Sequence, residues 1–439
     1  MIRRHCIFTR LHRDTLGARL AKHDPYAALR VRNFLWLILG YATSTVAREA
    51  QIVVVGWQVF QVTRDPLALG MIGLAEALPL IAVALYAGHV ADRFPRRPIA
   101  IAGTFSMLLS AIALLLFTTS GMIARGHVWP IYLVIFISGI ARSFIRPAFI
   151  ALAAEVVTRD LFANAVAWRS SSWQFAAVLG PAVGGLIYGF AGPAAAYGVV
   201  IVLMALALGA LWFIAHDARP QQGEEMPIGE SLRIGIRFLL GQRILLAAMT
   251  LDLFSVLFGG AVALLPIFAH MLGAGPQGLG VLRAAPAAGS LVTGLIVAHR
   301  RPMNRTGAAL FASAAIFGIT IIGFAVSRNF WISLALLTIG GMADNVSVII
   351  RGTLLQTLTP QHLLGRVSSV NQIFIGSSNE IGAFESGVAA RILGTVPSVI
   401  FGGIMTLVVV AVTMAWAPQL RKLKEIDAVR TSTSPSPDS

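Results

Sequence analysis

Between residues 33 and 418 one pattern recurs twelve times: a mostly apolar run long enough to cross a bilayer, then a short polar break. Each span needs about 20 apolar residues. The runs lie near 33–60, 68–91, 98–119, 129–152, 163–189, 194–215, 244–271, 277–298, 307–327, 330–352, 366–390 and 396–418. Composition agrees, with 56% of residues hydrophobic and 12% charged, against roughly 25% charged in soluble proteins. Fibrous, disordered and secreted disulfide-rich classes are excluded. The lone cysteine, Cys6, cannot form an intramolecular disulfide, so helix packing must hold the fold.

A net charge of +15 raises nucleic acid as a partner. The basic residues are instead dispersed between apolar runs, with no single patch and no interleaved aromatics, so no nucleic acid is expected. Residues 1–32 hold eight Lys or Arg and no long apolar stretch, which makes them a cytoplasmic basic arm and not a cleavable signal. Leu16, Leu20 and Leu29 give this arm the option of a surface helix. Residues 216–243 read as a cytoplasmic linker, with Pro220, Gly223, Glu224-Glu225 and Pro227 leading into a short amphipathic interfacial helix over 228–240. Residues 419–439 form a cytoplasmic tail whose Ser/Thr/Pro-rich end, Thr431 to Ser439, is expected to be disordered. With the N-terminus inside, 24 Lys and Arg fall on the cytoplasmic face and four, Arg64, Arg125, Arg328 and Arg391, on the other. Cytoplasmic loops carry the excess, so both termini are assigned to the cytoplasm.

The chain also echoes itself. The stretch from Leu161 to Gly185 aligns with that from Leu363 to Gly387 at a constant offset of 202, and Leu69-Gly70 matches Leu279-Gly280 at an offset of 210. A repeat of half the chain is the mark of a duplicated transporter, with the substrate site at the midplane between the repeats. The expected fold is all-α: twelve transmembrane helices in two pseudo-symmetric six-helix bundles, 33–215 and 244–418.

Two motifs refine this. The loop after the second span reads Gly88-His89-Val90-Ala91-Asp92-Arg93-Phe94-Pro95-Arg96-Arg97. It resembles the signature loop of the major facilitator superfamily, with Val90 and Pro95 departing from the family pattern. The resemblance implies a conformational lock formed by Gly88, Asp92, Arg93, Arg96 and Arg97, in which Asp92 faces the region of Gly365-Arg366 in the outward-open state. In the fifth span Gly180-Pro181-Ala182-Val183-Gly184-Gly185 is similar to the superfamily's antiporter motif, although Ala167 and Ala176 replace its upstream glycines. Small residues permit close backbone approach. The expected partner surface of Gly180, Pro181, Gly184 and Gly185 is Ala284, Ala285, Ala287, Ala288 and Gly289 of the eighth span. Gly56-Trp57-Gln58-Val59-Phe60, Gly365-Arg366-Val367, Asn371 and Ser378-Asn379-Glu380 resemble the bacterial subgroup of enterobactin exporters and macrolide efflux proteins.

Charges inside the spans locate candidate site residues. Six arginines (Arg48, Arg142, Arg146, Arg169, Arg283, Arg351) and six acids (Glu49, Glu76, Asp252, Asp344, Glu380, Glu385) lie there. Each would cost roughly 3 kcal/mol facing lipid, so all must face the interior or water. Arg142 and Arg146, four apart, share a helix face; so do Asp344, Ser347 and Arg351. Glu380 and Glu385 sit about 140° apart around their helix. A buried carboxyl can load and release protons, which makes Glu49, Asp252, Asp344 and Glu380 the candidates for proton coupling. Arg48, Trp57, Arg142, Arg146, Arg351, Asn371 and Glu385 are candidates for the substrate cavity, and Trp168 and Trp173 could line an amphipathic substrate's path.

No lysine occurs between Lys22 and Lys422, which rules out a P-loop pump, and neither H-E-x-x-H nor G-x-S-x-G stands in the chain. The expected protein is no enzyme and uses no bound cofactor or metal. It is a monomeric secondary transporter in the inner membrane of a bacterium, in contact with lipid and a small-molecule substrate. Two readings stay open: proton-coupled export of an amphipathic molecule such as a siderophore or drug, or proton-coupled uptake of a small anion through Arg142, Arg146 and Arg351.

Overall fold

The computed structural model describes residues 24–123, 127–215, 228–299 and 305–423, and within them every side chain except those at 84, 85, 88, 89, 91, 92, 228, 231 and 232. The described residues form helices and turns with no strand. The first half contains α1 (Arg32–Thr63), α2 (Pro66–Arg93), α3 (Arg96–Thr119), α4 (Trp129–Val156) and α5 (Phe162–Trp212). The second contains α6 (Ile228–Gly241), α7 (Arg243–Phe258), a 3-10 turn (Ala261–Leu264), α8 (Leu265–Met271), α9 (Gly275–Ala298), α10 (Thr306–Val326), α11 (Phe330–Leu358), α12 (Gln361–Leu393), α13 (Thr395–Trp416) and the short α14 (Pro418–Arg421).

Among the described residues nine stretches are long and apolar enough to cross a membrane, and one of them, Arg159–Trp212, has 54 residues, enough for two crossings. Its two limbs, the expected fifth and sixth spans, meet at Gly192, whose φ of 82° turns the chain before Pro193 starts the second limb. α1 and α12 supply the remaining length, with 32 and 33 residues, but are too polar to meet the same standard. Both face the central cavity, where polar groups meet water and not lipid.

One element differs from the sequence expectation. The seventh span is not one helix: it breaks at Gly259-Gly260 between α7 and the 3-10 turn, because α12 presses against it there. A Cβ on Gly260 would lie 2.8 Å from Ser386 Oγ. The amphipathic helix expected over 228–240 is present as α6: its Leu239 is 3% exposed and shares a cluster with Leu245, Val367 and Val370 of α7 and α12, while Ile236 and Leu240 stay exposed.

The basic arm is described from residue 24, where it caps the start of α5: Trp168 Nε1 and Asn164 Nδ2 both donate to the Pro25 carbonyl at 2.8 Å. Leu16 and Leu20, the linker residues 216–227, Arg300 to Asn304 and the tail from 424 lie outside the described residues.

How the halves meet follows from three apolar clusters. One, around Phe34, Phe149, Leu152 and Leu211, belongs to the first half alone; a second, around Leu245, Phe311, Leu354 and Leu420, belongs to the second half alone. The largest joins both, bringing Val53, Phe60 and Leu69 together with Leu264, Phe268, Leu279 and Leu282. This shared core lies toward the face opposite the start of α1. There α2 meets α12 so closely that a Cβ on Gly70 would stand 2.9 Å from the Gly387 Cα, and α5 meets α9 with a Cβ on Gly185 2.8 Å from the Gly280 Cα. Arg391 also pairs with Asp65 across the halves, and Arg64 Nη1 lies 3.0 Å from His270 Nε2. One end is sealed, and the halves part toward the end that carries the start of α1.

Candidate functional site

The parting halves enclose a cavity of about 770 Å3, within the range of small-molecule sites. α1 to α5 form one wall and α7 to α12 the other. On the side that carries the start of α1 its lining reaches Ile150 and Trp173, 45% and 44% exposed. The opposite end stops at the seal.

Nine charged residues line the cavity: Arg48, Glu49, Glu76, Arg142, Arg146, Arg169, Arg283, Asp344 and Glu380. Their pairing follows helix geometry. Arg142 and Arg146 stand one turn apart on α4 and face the same way. Arg142 pairs with Glu76 of α2 and reaches Glu380 Oε1 of α12 at 3.3 Å, so one guanidinium links a carboxylate from each half. Arg146 donates to Gln372 Oε1, also on α12. Arg48 pairs with its neighbour Glu49. A side chamber of about 60 Å3, bounded by Gln51, Glu76, Ser138 and Arg142, adjoins this network. It holds Gln51 Oε1 and Ser138 Oγ, buried with no protein partner, and is roomy enough for water.

Of the proton-coupling candidates, Glu49, Asp344 and Glu380 line the cavity and Asp252 does not. Asp252 and Arg351, each 8% exposed, pair between α7 and α11, and Arg351 Nε also donates to Ser347 Oγ at 3.3 Å. They form a committed pair in the core of the second half, which removes Arg351 from the substrate wall and splits the expected Asp344-Ser347-Arg351 face. Trp57 is 4% exposed in the shared core beside Phe60. Asn371 and Glu385 also lie outside the lining, since the cavity face of α12 runs through Ile375, Gly376, Asn379, Glu380 and Ala383. Trp168 anchors the arm, leaving Trp173 as the tryptophan of the lining.

The loop motif divides likewise. α2 runs to Arg93; Arg96 pairs with Glu155 of α4, and Arg97 donates to the Trp212 carbonyl at 2.8 Å, so both hold the first half together. Gly88 falls within α2, and the side chain of Asp92 lies outside what is described. In the fifth-span motif the expected partner is corrected. Gly180 and Gly184 pack on α1, where a Cβ on Gly184 would stand 2.6 Å from the Ala50 carbonyl. Gly185 and the Pro181 carbonyl meet α9, at Pro276 and Gly280, about one to two turns before Ala284. Gly289 packs on α11 instead, against the backbone of Thr338 and Met342.

Glu76, Arg169 and Arg283 were not singled out as site residues by sequence. Their signal was the same as that of the others, a charge inside an apolar run; their facing depends on which helices come together.

The comparisons with known proteins agree with this architecture. Residues 23–438 match the family described as transmembrane secretion effector. The enterobactin exporter EntS of Shigella flexneri is 24% identical over 416 residues, covering 92% of this chain and 95% of that protein. The uncharacterized MFS-type transporter YfiS of Bacillus subtilis (strain 168) is 25% identical over 377 residues, covering 81% and 86%. Among solved structures, a POT family transporter in complex with 5-aminolevulinic acid superposes with a TM-score of 0.68 at 12% identity, over 89% of this chain and 97% of that one. A peptide transporter POT in complex with alafosfalin gives 0.69 at 13% identity, over 91% and 99%. At such identities the structural likeness shows the fold alone. The family match spans nearly the whole chain, and with the two-halved helical fold it identifies a multi-pass membrane protein of the transmembrane secretion effector family, within the major facilitator transporters.

Proposed function

We propose that this transporter exports an amphipathic small molecule, of the size of a siderophore or drug, across the cytoplasmic membrane of a bacterium in exchange for protons. It works as a monomer by alternating access, with the proton gradient as its energy source and no bound cofactor. The observation that carries the reading is the two-sided hold on Arg142, with Glu76 in its own half and Glu380 in the other. Protonating Glu380 removes the cross-half attraction and leaves Arg142 compensated by Glu76, so one proton changes the adhesion between halves without stranding a buried charge. The basic face that bears the start of α1 is read as cytoplasmic, so the cavity takes cargo from inside, as an exporter requires. Kinship with enterobactin exporters supports the same direction.

The test is ΔpH in everted vesicles containing the protein, followed with a pH-quenched dye while siderophores, macrolides and small anions are added in turn. Dye recovery that depends on one compound and disappears in Glu380→Gln, with the folded yield unchanged, is the expected result. No recovery with any compound, together with gradient-driven accumulation of an anion in right-side-out vesicles, would replace export by uptake.

A further inference from the structure

The cavity lining holds five arginines and four carboxylates. Arg48 is occupied by Glu49, Arg142 by Glu76 and Glu380, and Arg146 by Gln372. Among the described residues, Arg169 at the mouth and Arg283 deeper on α9 line the cavity with neither a hydrogen bond nor an ion pair. The charges acting on Arg283 are Glu49, Arg48 and Glu380, and both of those carboxylates already hold an arginine. Asp344, the remaining acid of the lining, acts on the Asp252–Arg351 pair. A guanidinium brings five donors in a fixed fork that matches an oxyanion. Leaving such a group out of bulk water without a direct ion-pair or hydrogen-bond partner is costly, and a ligand that supplied one would recover part of that cost. In the same cavity Phe317, Ile321 and Leu337 give the lining an apolar surface.

We propose that Arg283 is the anion contact for cargo, and that the protein therefore takes amphipathic molecules carrying a carboxylate or similar oxyanion. The acid group docks on Arg283 while the apolar body lies against Phe317, Ile321 and Leu337. Arg142 and Arg351, which the sequence offers for the same task, are saturated by acids of the protein itself. The inference rests on reading the cavity as the cargo site; it does not depend on the direction of transport or on protons.

Two fluorescent probes that differ only in charge, dansylglycine and dansylglycinamide, test it on the purified full-length chain in nanodiscs without any gradient. In the unmodified protein the acid binds about tenfold more tightly than the amide, as a charge-assisted hydrogen bond requires. Arg283→Gln lowers the acid to the level of the amide and leaves the amide unchanged, while Arg283→Lys keeps part of the preference. A second measurement needs no variant: dansylglycine, and not the amide, protects Arg283 from phenylglyoxal, read by mass spectrometry. Equal binding of the two probes, binding of neither, an acid preference that survives Arg283→Gln, or no protection overturns the proposal. An acid preference that holds while vesicles show no cargo-dependent dye recovery overturns proton-coupled export and leaves Arg283 in place.

Discussion

The two halves share a helical plan and divide their charges differently. The first brings six charged residues to the cavity, Arg48, Glu49, Glu76, Arg142, Arg146 and Arg169, and both of its carboxylates are held by arginines of the same half. The second brings only Arg283, Asp344 and Glu380, and keeps a further pair, Asp252–Arg351, inside its own core. Among the described residues its Arg283 and Asp344 have no hydrogen-bond or ion-pair partner, and its Glu380 reaches across to the first half. Duplication of the backbone has thus not duplicated the chemistry. One half answers both of its carboxylates internally and leaves Arg169 unanswered; the other carries the acid that bridges the halves, Glu380, and the deeper arginine, Arg283.

The contrast breaks most severely at the pair the second half keeps to itself. Arg351→Ala strands Asp252 in the core, and about 3–5 kcal/mol of stability is expected to be lost. Thermal unfolding of the purified protein measures this, and adding Asp252→Asn should restore most of it; a variant that melts like the parent would make the pair no more structural than the cavity charges. In the first half, Gly184→Leu drives a side chain into the Ala50 backbone, a loss of roughly 1–3 kcal/mol by overpacking. Monodisperse yield and melting temperature should fall together, whereas an unaffected protein would show that α1 can move away from α5. Smaller again is Tyr197→Phe, which removes the donor that reaches Gln58 Oε1 at 2.7 Å and should lower stability by about 1 kcal/mol with no change in probe binding. Least of all is Arg391→Ala. This residue pairs with Asp65 across the sealed end but is 56% exposed, so a loss below about 1 kcal/mol is expected. Raising the salt concentration should erase it. A loss as large as that of Arg351→Ala would mean that the seal depends on charge more than on its glycines.

Much of the fold was legible because hydropathy is written along the chain. Ten of the expected spans emerge as apolar helices, and α1 and α12, the two more polar ones, were read from the same run of hydropathy at 33–60 and 366–390. The break at Gly259-Gly260 was not, since an apolar run looks the same whether or not a neighbour presses on its middle. In the site, Glu49, Arg142, Arg146, Asp344 and Glu380 were legible as interior charges that do line the cavity. Asp252 and Arg351 carried the same signal and went to the core instead.

By itself, then, the sequence determined the membrane class, the positions of the spans and the rule that every charge inside a span must face inward, because each rests on transfer energies that add residue by residue; the superfamily came from the resemblance of the loop Gly88 to Arg97. The tertiary structure decided which charge answers which. Arg142 meets Glu380 across 238 residues of chain, and Arg283 faces the cavity without a comparable partner among the described residues. Pairing energies depend on side chains brought within a few ångströms of one another, and only the packing of helices distant in sequence sets that separation.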